Sequence, residues 1–180
     1  MVDGTYFLPN LNRDAQAEYE AGHIPGAVRW DIDAIADTDS SLSHMMPSAD
    51  VIAREAGARG IAADSAVVVY DQLGIFSAAR VWLTFKAAGH KQVAVLDGGL
   101  PAWQGELQNG PQAQVTAVEY GAVSATKTTV DREAVLVALE DFSAVVVDAR
   151  SAERFAGIAP EPRPGLRGGH MPTSVSLPHT

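Results

Sequence analysis

The sequence contains no cysteine, fewer basic than acidic residues, and no long apolar run. The absence of cysteine excludes disulfides and thiolate metal sites in this chain. With 13 Lys and Arg against 22 Asp and Glu, the formal net charge is -9. This balance argues against a surface for nucleic acid or anionic membranes, because both need clustered basic residues. No apolar run approaches the ~20 residues of a membrane span, and the first residues lack a secretory signal pattern. We therefore expect a cytoplasmic protein that binds neither nucleic acid nor membrane.

Hydrophobic residues make up 47% of the 180 residues, which is enough to bury a full core. The stretch AVVVYDQLGIFSAARVWLTF, Ala66–Phe85, is typical of a buried strand, a short loop and a helix capped by Ser77. Further helical patterns cover Asn12–Glu20, Ser48–Ala56, Leu100–Glu106 and a segment capped by Asp131, and further strand patterns cover Ala27–Trp30, Gln92–Leu96, Ala144–Val147 and a peripheral Val115–Tyr120. This alternation predicts an α/β fold with a doubly wound parallel sheet.

The loop after the Val67–Tyr70 strand lies where active sites of open α/β sheets usually form, outside the carboxyl end of a strand. The residue at that point is Asp71. The loop therefore has the shape of an active-site loop but carries no thiol nucleophile. The five histidines show no metal-ligand spacing, and Gly98-Gly99 is too short for a phosphate-binding loop, so we expect neither a metal nor a cofactor.

Two short patterns near the start of the chain recur near its end. Gly-His-apolar-Pro occurs at His23 and again at His170, 147 residues later, and a strand-end aspartate occurs at Asp3 and again at Asp148, 145 residues later. Two patterns at nearly one offset indicate an internal duplication. We interpret residues 1–106 as a first domain whose N-terminal strand is missing, 107–127 as a linker, and 128–180 as the truncated beginning of a second copy. Because they recur within turns, His23 and His170 are expected to have structural roles.

The chain resembles the rhodanese family of sulfurtransferases, in its two-domain thiosulfate and 3-mercaptopyruvate form. The resemblance rests on GHIPGAV (Gly22–Val28), DID (Asp31–Asp33), RVW (Arg80–Trp82), LDGGLPAW (Leu96–Trp103) and VVDARSAERFAG (Val146–Gly157). It implies a rhodanese-like fold present in two copies. The first copy is non-catalytic and often has Asp where the second has the reactive Cys, so the resemblance implies that Asp71 is not catalytic.

The resemblance also implies four site residues. Asp33 and His44 match a proton-transferring Asp–His pair, and Arg154 and Arg163 match two arginines that bind an α-keto acid substrate. The implied reaction moves sulfur from 3-mercaptopyruvate or thiosulfate to a thiol or cyanide, through a Cys persulfide that lies outside this chain. That Cys would come from residues beyond Thr180 or from a second polypeptide, and the chain alone is expected to be inactive.

Other interpretations of the same residues stay open. His44 could cap the following helix, Arg154 and Arg163 could be solvated, and Glu161 could pair with either arginine. For the whole chain, the main alternative is a non-catalytic rhodanese-like module for binding or regulation, which explains the missing cysteine without truncation. A generic doubly wound domain that binds another small anion would need a glycine-rich loop, which the sequence lacks. Only a truncated chain is expected to expose apolar residues around Val145–Val147.

Overall fold

The computed structural model describes residues 1–121, 126, 129–162 and 165–178. It divides into two compact units, Met1–Thr128 and Thr129–Thr180. The strands are β1 (Val2–Asp3), β2 (Val28–Arg29), β3 (Val67–Tyr70), β4 (Val93–Val95), β5 (Val147–Asp148) and β6 (Val175–Ser176). The helices are α1 (Ala15–Ala21), α2 (Ala49–Ala58), α3 (Ala78–Ala87), α4 (Gly99–Ala102), α5 (Arg132–Asp141) and α6 (Ala152–Phe155). Within the described residues, no helix is long and apolar enough to cross a membrane.

The first unit is built on a four-stranded parallel sheet in the order β2-β1-β3-β4. The two-residue strand β1 lies inside the sheet, where Val2 is aligned with both Val28 and Val69. Helix α3 buries Val81 and Phe85 completely, and the ring of Phe85 packs against Trp30 at 4.8 Å between centroids. The predicted α/β class and parallel sheet are confirmed.

Four predicted elements differ from the structure. The strand predicted at Ala144–Val147 is observed as β5, which begins only at Val147. Helix α1 begins at Ala15 rather than Asn12, because Asn12 has a left-handed backbone (φ 49°) and the Asp14 carboxylate caps the helix. The helix predicted to reach Glu106 ends at Ala102. Val115–Tyr120, predicted as a peripheral strand, has no strand structure.

Residues 107–121 belong to the first unit and pack against the rest of it. Gln108 forms an antiparallel bridge with His23, and the Val118 N–H donates to the carbonyl oxygen of Gly57 at 2.9 Å. Nδ1 of the buried His90 imidazole accepts a hydrogen bond from the Tyr120 hydroxyl at 2.7 Å. Its Nε2 donates to the carbonyl oxygen of Ser65 at 2.8 Å. Polar side chains and backbone groups therefore hold this segment, which explains why it shows little apolar periodicity.

The second unit contains a two-stranded parallel sheet, β5-β6, with α5 and α6. Asp131 caps α5, as its pattern predicts, by accepting a hydrogen bond from the Ala134 N–H at 2.8 Å. Val145 is 74% exposed and Val147 is 49% exposed. The described residues of this unit therefore leave apolar side chains next to β5 in contact with solvent.

Candidate functional site

The carboxyl end of β3 is organised by the side chain of Asp71. This carboxylate is fully buried, and four backbone N–H groups donate to it. Leu73 donates to Oδ1 at 2.8 Å, and Phe76, Ser77 and Ala78 donate to Oδ2 at 2.7, 2.8 and 2.8 Å. These donors form an anion cradle at the start of α3, where the helix dipole also favours negative charge.

Ser77 is the N-cap residue of α3, as the sequence predicts, but its side chain makes no capping hydrogen bond. The Ser77 hydroxyl instead accepts a hydrogen bond from the Tyr6 N–H at 3.1 Å and so connects α3 to the end of β1. With four N–H groups bonded to its carboxylate, Asp71 holds the loop and occupies the cradle.

The loop after β3 is packed against the turn that begins α4. The Leu100 N–H donates to the Asp71 carbonyl at 2.9 Å. Gly99 has φ +56°, and a Cβ at this position would lie 2.5 Å from the Asp71 carbonyl oxygen and 2.3 Å from that of Gly74. Only glycine allows this approach, which accounts for the Gly-Gly pair.

Asp33 and His44 lie together in the first unit. Nε2 of His44 and Oδ1 of Asp33 are 2.5 Å apart. The Asp33 side chain is 65% exposed, whereas that of His44 is 21% exposed. Because a carboxylate accepts this hydrogen bond, Nε2 carries a proton, and in the neutral imidazole Nδ1 is then the nitrogen with the lone pair. The arrangement suits an imidazole that takes or gives a proton at Nδ1.

The polypeptide around this pair is fixed by local polar contacts. Asp31 accepts hydrogen bonds from the N–H groups of Asp33 and Ala34, which holds the turn that presents Asp33. His44 has a left-handed backbone (φ 60°), a conformation that costs about 1–2 kcal/mol in a residue with a Cβ. The edge of the Tyr6 ring packs against the imidazole at 5.0 Å.

In the second unit, Arg154 is paired with Glu161 rather than solvated. Its Nη2 and Nε lie 2.5 and 3.2 Å from Oε2 of Glu161. Arg150 donates to the other oxygen of Glu161 at 2.6 Å and to the Asp148 carboxylate. These side chains line an open cleft of about 840 Å³ within this unit. The other predicted substrate arginine, Arg163, lies outside the described residues.

The ion pairs shift the pKa values of both carboxyls. Hydrogen bonds from Arg150 hold the pKa of Asp148 at about 2, and those from Arg154 lower the pKa of Glu161. The side chain of Glu161 is only 4% exposed. Both acids are therefore ionised at neutral pH.

His23 and His170 have the same surroundings in their own units. The His23 ring stacks on Tyr19 at 3.9 Å, and its Nδ1 donates to the Tyr19 carbonyl at 2.8 Å. The His170 ring stacks on Phe155 at 3.8 Å, and its Nδ1 donates to the Phe155 carbonyl at 2.8 Å. Both rings are fixed by the backbone, in keeping with the structural role predicted for them.

Two arginines near these groups receive no individual role from the sequence. In the sequence, Arg80 stands out only as part of the RVW motif, whereas in the structure its guanidinium donates to the backbone carbonyl of His44. Arg150 follows the strand-end residue Asp148 by two positions, and this spacing could have indicated their pairing. Among the described residues, no group of three or more His, Asp or Glu side chains could hold a metal ion.

The parallel α/β fold and the anion cradle at a strand end define a class of domain that matches a known family. The family model described as "Rhodanese-like domain" matches residues 13–106. The chain belongs to the rhodanese-like domain family. The resemblance and the rhodanese-like fold predicted from the sequence are thereby confirmed.

Individual relatives extend the match over the whole chain. The 3-mercaptopyruvate sulfurtransferase of Rattus norvegicus is 42% identical over 185 residues, which cover 100% of this chain and 62% of the rat protein. The thiosulfate/3-mercaptopyruvate sulfurtransferase 1 of Arabidopsis thaliana, named as mitochondrial, is 38% identical and is covered to 53%. The crystal structure of SseA from Escherichia coli superposes with a TM-score of 0.86 at 33% identity, covering 98% of this chain and 67% of that one. The chain spans less than two thirds of the length of the rat and Arabidopsis relatives.

Asp71→Asn is expected to destabilise the first unit by about 2 kcal/mol or more. The amide has no negative charge, and its NH₂ group would face backbone N–H groups that need an acceptor. Urea unfolding followed by tryptophan fluorescence measures this loss, since all three tryptophans, Trp30, Trp82 and Trp103, lie in the first unit. Asp64→Asn, on an exposed side chain, is the matched control and should change stability by less than about 0.5 kcal/mol. Equal stability of the two variants would contradict the cradle's role.

The Asp148–Arg150 pair predicts acid sensitivity in the second unit. Because the folded pKa of Asp148, about 2, is below the unfolded value of about 3.9, the pair stabilises the unit above pH ~4 and loses this contribution as pH falls toward ~2. The Nε–H chemical shift of Arg150 in ¹H–¹⁵N NMR should keep its ion-paired value from pH 7 to pH 4 and change between pH 4 and pH 2. The exposed Arg167 is the control and should show no such transition. A change of the Arg150 shift already complete at pH 5 would refute the pairing.

Proposed function

We propose that this chain is part of a sulfurtransferase that moves sulfur from 3-mercaptopyruvate or thiosulfate to a thiol or cyanide acceptor. The Asp33–His44 pair, 2.5 Å apart in a rhodanese-like fold, is the observation that carries the proposal. Relatives matched over the full chain have names that agree with this activity. Their names include a mitochondrial protein, so the cytoplasmic location remains a separate proposal.

The proposed reaction needs a cysteine from outside this chain. Its thiolate attacks the sulfur of the donor, the carbon–sulfur bond of 3-mercaptopyruvate breaks, and the released electron pair takes up a proton to leave pyruvate. The resulting persulfide then gives its outer sulfur to the acceptor. His44 supplies or removes the proton through Nδ1 while Asp33 holds Nε2. Asp71 cannot replace the cysteine, because its carboxylate oxygens already accept hydrogen bonds from four backbone N–H groups.

Substrate binding is assigned to Arg154 and Arg163. A planar α-keto acid suits a guanidinium, which can donate two parallel hydrogen bonds. Arg154 lines the cleft of the second unit and is held there by Glu161. The domain organisation proposed from the sequence, with residues 128–180 as the beginning of a second copy, places this arginine in the copy that would carry the reactive cysteine.

The roles of Asp33 and His44 can be tested in a chimera that joins this chain to the part of the rat relative that it does not cover. The chimera is expected to release pyruvate from 3-mercaptopyruvate with a thiol acceptor. Asp33→Asn and His44→Gln should each lower kcat/KM by about 10²-fold, the usual scale of general acid–base catalysis. Asp64→Asn is the control and should leave kcat/KM unchanged. The unfused chain should show no sulfur transfer. An active chimera that tolerates both substitutions would exclude the proton-transfer roles.

A non-catalytic binding module is the alternative, and the occupied cradle of Asp71 is the observation that favours it. The exposure of Val145 and Val147 favours the enzyme instead, because this apolar surface needs further residues to cover it. The intact mass of the protein isolated from its source, taken under denaturing conditions, separates the two. A second, cysteine-containing polypeptide of roughly one domain's remainder, on the order of 100 residues, is expected for the enzyme. A single species of 180 residues would favour the module.

A further inference from the structure

Arg80 lies in the first turn of α3 and reaches the loop that carries His44. Its Nη2 donates to the backbone carbonyl oxygen of His44 at 2.5 Å. This is the contact between α3 and the residue of the loop that has the left-handed backbone. The guanidinium fork is rigid, so one hydrogen bond also fixes the direction from which the loop approaches the helix.

The charge of Arg80 is not neutralised by a carboxylate among the described residues. Each of the ion pairs in the first unit joins other side chains, as Arg13–Glu18 and Arg59–Glu55 illustrate. Arg80 is half-buried, and burial lowers the pKa of its guanidinium. Burying half of a cation costs free energy unless its N–H groups find hydrogen-bond acceptors. The carbonyl oxygen of His44 is such an acceptor, so the contact stabilises both the Arg80 side chain and the backbone of His44.

We propose that Arg80 is a positioning residue for His44, in that it holds the backbone of His44 in the left-handed conformation that brings Nε2 to Asp33. The inference rests on the proposed function, in which His44 transfers a proton. His44 is supported on three sides: by the Asp33 carboxylate at Nε2, by the Tyr6 ring at 5.0 Å and by Arg80 at its carbonyl oxygen. Of these, the Arg80 contact is the one that acts on the strained backbone, so its loss lets the loop relax and separates the imidazole from Asp33.

The pair can be observed directly in the full 180-residue chain, without any activity. Two-bond ¹H–¹⁵N NMR of the neutral imidazole distinguishes a ring protonated at Nε2 from a mixture of tautomers. The wild-type chain should give the single Nε2–H pattern for His44. Arg80→Met should lose it and give the averaged pattern, whereas Arg80→Lys, which keeps a charged donor, should retain most of it. Arg54→Met, on an exposed arginine of α2, is the matched control and should leave the pattern intact.

The outcomes separate this inference from the proposed function. If Arg80 only stabilises the fold, Arg80→Met lowers Tm while the His44 pattern stays single, and the inference is overturned. A wild-type chain without the single pattern would overturn the Asp33–His44 pair itself, and with it the support for proton transfer. Where Arg80→Met does not fold, Arg80→Gln replaces it, because the shorter amide does not reach the His44 carbonyl. Loss of the single Nε2–H pattern in this variant supports the inference, and retention of the pattern refutes it.

Discussion

The burial of one carboxylate, that of Asp71, determines the shape of the functional edge of the first unit. A charge with no exposure to solvent must be compensated, and four backbone N–H groups do so. Those N–H groups can converge only if the loop after β3 folds back on itself and α3 begins at Ala78. The same loop then needs Gly99 beside it, because no Cβ fits between the two turns. One residue thus fixes the loop, the start of a helix and the neighbouring turn.

The position of α3 in turn decides where the Asp33–His44 pair can form. Arg80 lies two residues after the start of this helix, and its reach to the His44 carbonyl depends on where the helix begins. The connection between Ser77 and Tyr6 brings the end of β1 to the same place, and Tyr6 packs against the imidazole. Under the proposed function, the cradle that Asp71 fills therefore supports the Asp33–His44 pair, although it holds no nucleophile itself.

The sequence predicted the parallel α/β architecture well, because the Val67–Tyr70 run and the caps at Ser48 and Asp131 are local signals with strong physical causes. It failed where a longer-range contact decides the structure. Residues 107–121 have no periodic pattern, and hydrogen bonds to Gly57 and His90 place them without forming a strand. Ser77 is the N-cap residue of α3 as predicted, but its hydroxyl accepts a hydrogen bond from the Tyr6 N–H and makes no capping bond. Tyr6 lies 71 residues away in the sequence, so the local pattern around Ser77 does not indicate this partner.

The charge balance of the second unit limits how an α-keto acid could bind there. Arg150 and Arg154 face Asp148 and Glu161, so the four side chains together carry no net charge. A substrate carboxylate entering this cleft would meet arginines whose charge is already compensated, and the gain from one more ion pair would be small. Net attraction requires a further cation, and Arg167, which also lines this cleft, is one. Under the proposed function, Arg154 and Glu161 fix the orientation of the substrate, whereas Arg167 and the proposed substrate arginine Arg163 provide most of its electrostatic attraction.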